Sequence, residues 1–175
     1  MGNADTALPL LKSLCPPPTH PEVPRATEGF TIPASHNDLV ETYGTGCFDE
    51  FIWIFAVDAT SAQLDITERT RELRTILRSK ELAAVRHDLG DHGFHANDLV
   101  QWGVTDNADV LAWITRGKPE EWPTVIIQAG QLRAVVSPHS STATILDLLT
   151  RSTVVPFFPS DFPGDQPEFA TNPYG

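Results

Sequence analysis

Two cysteines and one methionine in 175 residues leave this chain little sulfur chemistry. Cys15 and Cys47 lie in different segments and share no metal-ligand spacing, so two reduced thiols are the expected state rather than a disulfide or a zinc knuckle. Basic residues are scarce as well: 12 Lys and Arg stand against 23 Asp and Glu, a formal net charge of −11. That balance opposes direct binding to a phosphate backbone and suits a basic partner, although the same charge also serves solubility alone. No apolar run approaches the ~18 residues of a membrane span, and no basic leader with an apolar stretch behind it opens the sequence. A soluble, cytoplasmic protein without membrane contact is therefore expected. The length suits one domain with a substantial core.

What is present reads as alternating helices and strands. Leu8, Leu10, Leu11 and Leu14 mark a short amphipathic helix over residues 7–14, with Asp5 or Thr6 as its cap, and Cys15-Pro16-Pro17-Pro18 must end it. Pro33 opens a second helix with Leu39, Val40 and Tyr43 on one face; Gly44 terminates it, and Gly44 and Gly46 mark a turn. Residues 51–57 form an aromatic run that predicts a strand buried on both faces. A charged helix follows over residues 66–79, with Ile66, Leu73, Ile76 and Leu77 inward, and residues 85–97 are polar enough for a loop. Residues 99–113 carry two tryptophan-bearing runs about Asp106-Asn107-Ala108, where Asn tolerates the positive φ of a short hairpin. Pro123 starts the next strand, residues 124–128 and 132–136 pair as a second hairpin, and Ser140 or Ser141 caps a last helix with Ile145, Leu148 and Leu149 inward. The expected architecture is one α+β domain, a mostly antiparallel sheet of about five or six strands with helices packed at its sides. Residues 1–31 supply a short helix and a proline-rich linker, residues 32–163 the domain, and residues 164–175 a mobile tail.

Five constellations hold residue types that could carry chemistry or binding. His87, Asp88, Asp91, His92 and His95 form the densest group of metal-ligating types, but the run is broken by glycines and lacks a helical His-Glu-x-x-His frame, so no metal is expected. Gly44-Thr45-Gly46 lacks the lysine and strand-to-helix context of a phosphate loop. His139, Ser140, Ser141 and Asp147 hold the residue types of a hydrolase triad without a Gly-x-Ser-x-Gly elbow. Asp106 and Asp109 suit acid-base work by type, yet a hairpin tip favours Asp for turn reasons alone. Trp53, Trp102, Trp113 and Trp122 read as core residues, with Trp122 at the sheet rim the best placed for an interface. No catalytic residue and no cofactor is expected.

Ile32-Pro33, Tyr43-Gly44-Thr45-Gly46-Cys47-Phe48, the 99–113 hairpin with Glu121-Trp122-Pro123, and Val155-Pro156-Phe157-Phe158-Pro159 occur in an order and spacing that resembles the SUKH superfamily. That superfamily includes fungal cell-wall-assembly and killer-toxin-resistance regulators and bacterial proteins that neutralise toxins. The chain departs from many members at residues 19–29, which are short and proline-rich where those carry a longer amphipathic helix. The resemblance implies Gly44, Gly46, Trp102, Gly103 and Trp113 as structural motif residues and a non-enzymatic task, the binding of another protein. An immunity protein that occludes a basic toxin domain, nuclease- or deaminase-type, is the expectation; a regulatory or scaffold protein of cell-wall or signalling pathways is the alternative. Asp49, Glu50, Asp106, Asp109, Glu120, Glu121 and Trp122 are the candidate partner contacts, chosen for their turn and loop positions. The oligomeric state is left open.

Overall fold

The structure, a computed structural model, describes residues 4–25, 30–79, 94–131 and 133–172. Its frame is a seven-stranded antiparallel sheet: β1 (Gly46–Phe48), β2 (Ile52–Ile54), β3 (Leu99–Thr105), β4 (Val110–Ile114), β5 (Thr124–Ile127), β6 (Ala134–Ser137) and β7 (Phe169–Thr171). The strands lie in the order β6-β5-β4-β3-β2-β1-β7. β1 to β6 thus form a continuous meander, and the chain returns at its end to add β7 beside β1. Among the described residues there are four α-helices: α1 (Ala4–Leu14), α2 (Ala34–Tyr43), α3 (Ile66–Ser79) and α4 (Ser141–Leu149). None is long and apolar enough to cross a membrane.

Alternation along the strands divides the core in two. Ile52, Ile54, Trp102, Leu111, Trp113 and Ile126 point to one face, where they meet Leu11 of α1, Leu39 and Tyr43 of α2, and Ile145 and Leu148 of α4. Leu99, Ala112, Ile114, Val125 and Ile127 point to the other, under Leu73 and Leu77 of α3. One irregularity reconciles the two patterns. A β-bulge lies between Gln101 and Gly103, whose partners Ala112 and Leu111 are adjacent in β4, so Trp102 is the extra residue. The bulge also frees the Gln101 N–H, which donates to Thr70 Oγ1 of α3 at 2.9 Å. Position 103 must be glycine, since a Cβ there would lie 2.7 Å from the Trp53 carbonyl oxygen. Gly44, at φ 73°, closes α2 as expected, its N–H donating to Val40 O at 2.7 Å.

Several expectations are corrected. The sheet has seven strands because Gly46–Phe48 pairs with β2 instead of forming only a turn, and because part of the expected tail becomes β7. Residues 51–57 contribute three strand residues rather than a long strand. Ile76 is largely exposed, at the edge of the α3 stripe. The hairpin's positive φ falls on Ala108, at 68°, not on Asn107: the loop is a turn followed by one left-handed residue. α1 starts three residues earlier than expected and tolerates Pro9 inside its span. The loop expectation for residues 85–97 falls largely outside the described residues; its end forms a short 3-10 turn, Ala96–Asp98.

Trp102 and Trp113 are both fully buried, whereas Trp122 is half-buried and hydrogen-bonded at the rim. Trp102→Ala and Trp113→Ala should each destabilise the protein by roughly 3–5 kcal/mol in denaturant melts, with Trp122→Ala costing less. A ranking that puts Trp122 first would contradict this packing.

Candidate functional site

An antiparallel meander places alternate hairpin tips at one end of the sheet. The β1–β2 tip carries Asp49 and Glu50, and the β3–β4 tip carries Asp106. They are tied together, since the Asp106 N–H donates to the Phe51 carbonyl at 2.8 Å. The β7 approach joins the same end: Asp49 N–H donates to Glu168 O at 2.7 Å, and Gly164 N–H donates to Asp49 Oδ2 at 2.8 Å. Asp49 and Glu50 both sit at positive φ, 52° and 55°, in a tight turn closed by Phe51 N–H to Phe48 O at 3.0 Å. Such a turn favours Asn, Asp or Gly, so it is Glu50 that holds a strained backbone there.

The electrostatics agree with the geometry. The buried Cys47 thiol is pushed up to about 12, first by burial and then by the charges of Asp106, Glu50 and Asp49. Cys15 is raised to about 11 by burial, with Asp49 and Glu168 adding to it. Four carboxylates therefore converge on this end, and both thiols are inert at neutral pH.

The candidate contact residues do not form one surface. Glu50 and Asp106 are exposed and Asp49 is half-buried at the acidic end. Glu120 and Glu121 lie on the Pro119–Glu121 turn at the opposite end of the sheet, in a loop with Arg116 and Lys118. Trp122, in that loop, packs on Trp113 at 6.2 Å between ring centroids and donates its Nε1–H to Gly117 O at 3.2 Å. That second end has mixed charge: Arg116 pairs with Asp98 at 3.3 Å. The Asp98 carboxyl is held below its ordinary range, chiefly by the His95 backbone N–H and then by Arg116.

Asp109 is a correction, because its side chain is buried and offers nothing to a partner. Its Oδ2 accepts from the Thr105 hydroxyl at 2.7 Å, its Oδ1 from Ala129 N–H at 2.9 Å, and its own N–H donates to Thr105 Oγ1 at 3.0 Å. It thereby sets the conformation of the tip that displays Asp106 and ties that tip to the β5–β6 turn.

The triad residue types are dispersed. Ser140 caps α4, its Oγ accepting from Ala143 N–H at 3.1 Å. His139 and Asp147 approach at 3.8 Å on the surface. Ser141 is instead bound to His36, a residue the sequence analysis passed over. His36 is completely buried; its Nδ1 lies 2.8 Å from Ser141 Oγ and its Nε2 2.8 Å from Phe55 O. A carbonyl only accepts, so Nε2 carries the proton and Nδ1 accepts from the serine hydroxyl. The ring stands edge-on to Trp113, at 4.9 Å and 89°, and 6.0 Å from Trp102. Burial lowers its pKa to about 4, against a smaller upward pull from the Phe55 carbonyl. With Ser141 also buried, the pair is a structural clasp. The signal was legible: residues 36, 39, 40 and 43 follow helical spacing, which puts His36 on the stripe of Leu39, Val40 and Tyr43.

Among the described residues no group of three His, Cys, Asp or Glu is placed to hold a metal ion. His87 and His92 of the histidine-rich run lie outside the described residues. Compared with protein-family models, curated proteins and solved structures, the chain matches none.

Two outcomes follow from this geometry. His36 titrates near 6.5 when unfolded and near 4 when folded, so between those values the unfolded chain binds the extra proton. Its contribution is complete above about pH 6.5 and is lost as pH falls toward 4, on the order of 3 kcal/mol in all. Denaturant melts across that range should show the loss, and His36→Leu should lack that slope even if less stable throughout. Asp109→Ala strands the Thr105 hydroxyl and the Ala129 N–H and should cost about 1–3 kcal/mol, with Asp109→Asn costing less by the same measurement.

Proposed function

We propose that this chain is a non-catalytic protein-binding module whose docking face is the acidic end of the sheet, and that it acts as an immunity protein occluding a basic toxin domain. The observation that carries the reading is the convergence of Asp49, Glu50 and Asp106 on two hairpin tips, and of Glu168 on the β7 approach, tied by backbone hydrogen bonds. Like charges gathered on a strained, well-braced backbone cost stability, and a cationic partner surface offsets that cost on binding. The resemblance to the SUKH superfamily supports the same reading, since it implies an α+β binding domain. A nuclease- or deaminase-type toxin suits the charge, because a protein evolved to hold a phosphate backbone presents a basic surface, and this acidic end imitates the phosphates that surface binds.

The test mixes the purified chain with a basic toxin domain of the proposed class by stopped flow at low and physiological ionic strength. Association should slow steeply as salt rises. Glu50→Lys and Asp106→Lys should each slow association and abolish protection of cells making the toxin while leaving the melting temperature nearly unchanged. Glu120→Lys, at the opposite end, should behave as the parent. A salt-independent rate removes the electrostatic account, and the absence of any complex removes the immunity reading for that pair.

A further inference from the structure

The acidic end continues onto the outer face of the sheet as a groove of ≈ 320 Å³, between β2, β3 and the start of α3. Trp53, Leu64, Val104 and Ala108 supply its apolar lining, and Arg69 and Asp106 its charged members. The bulge at Trp102 creates this face: it resets the alternation of β3, so that Val104 pairs with Trp53 on the outer side. Cys47, which pairs with Trp53 from the other strand, shares that face, and Asp106, Glu50 and Asp49 all act on its thiol. Of the tip carboxylates, Asp106 lines the groove itself.

Its two charged members differ in availability. Arg69 is already met by Glu72, with Nη1 at 2.7 Å from Oε2. Asp106 is exposed and makes no ion pair among the described residues. The free charge at the groove's mouth is therefore negative, in a chain of net charge −11.

We propose that this groove receives an arginine side chain of the protein partner, its stem along Val104 and Ala108 and its guanidinium on the Asp106 carboxylate. This rests on the protein-binding reading above and names where the partner is anchored. Arginine suits the site better than lysine, because a planar guanidinium forms two parallel hydrogen bonds to a carboxylate and lies flat in a narrow groove. An arginine whose charge pair is sheltered from water by apolar walls is the kind of contact in which binding energy concentrates.

The probe is the peptide acetyl-Gly-Arg-Gly-amide, titrated into the full chain by NMR, with the neutral citrulline peptide of the same shape as control. Saturable shifts are expected at the Val104 methyls and the Asp106 and Ala108 amides. They should weaken at least fivefold in affinity with the citrulline peptide or in Asp106→Asn, whereas Asp161→Asn should titrate like the parent. No saturable shift at these residues, shifts spread evenly over the acidic surface, or unchanged affinity in Asp106→Asn would each overturn the proposal. If the groove stays silent while the toxin domain still binds, the anchor fails and the protein-binding reading stands. If the arginine peptide binds as described while no toxin complex forms, the site stands and the immunity reading fails.

Discussion

His36 holds three elements of the fold together because each ring nitrogen has one fitting partner, the Phe55 carbonyl just past β2 and the Ser141 hydroxyl in the first turn of α4. The imidazole belongs to α2, so one neutral ring joins two helices to the sheet. Trp102 and Trp113 stand beside it, fully buried, and their indole N–H groups have no hydrogen-bond partner among the described residues. Leaving those donors unsatisfied is costly, and the aromatic packing around His36 is what offsets the cost. A charged imidazole would have no counter-ion there: the groups that face it from α2, β3, β4 and α4 are uncharged side chains and a backbone carbonyl. The layer therefore depends on the proton staying off.

The acidic end inherits its rigidity from that core. Its tips are short extensions of strands whose inward residues, Phe48, Ile52 and Trp102 among them, pack against the helical layer. Each tip is then braced locally, the first by Glu168 and Gly164 on Asp49, the second by Asp109. A rigid tip loses little conformational freedom on binding, so more of the interaction with a cationic partner appears as affinity. At the opposite end Arg116 pairs with Asp98 and Trp122 folds back on Trp113.

Local pattern carried much of this into view. The span of α3, the Gly44 terminator, a serine cap at 140 or 141 and the 99–113 hairpin were all legible, because each depends on neighbours within a few residues. What depended on distant partners was not. β1 is three residues long and is a strand only because β2 and β7 flank it, and β7 lies in a polar tail with no alternation to announce it. Asp109 and Asp106 look alike in sequence, yet a reach of 20 residues to Ala129 buries one and leaves the other exposed. Glu120 and Glu121 share the loop character of Asp49 and Glu50, but strand order places them at the far end. The proximity of Ser141 to His36, 105 residues apart, was likewise visible only in three dimensions.

Backbone hydrogen exchange of the chain alone and in complex with the proposed toxin partner tests the location of the proposed docking face most directly. The account predicts new protection at residues 48–52 and 104–109, with residues 115–122 exchanging as in the free chain. Protection confined to residues 115–122, with the acidic tips unchanged, would contradict it.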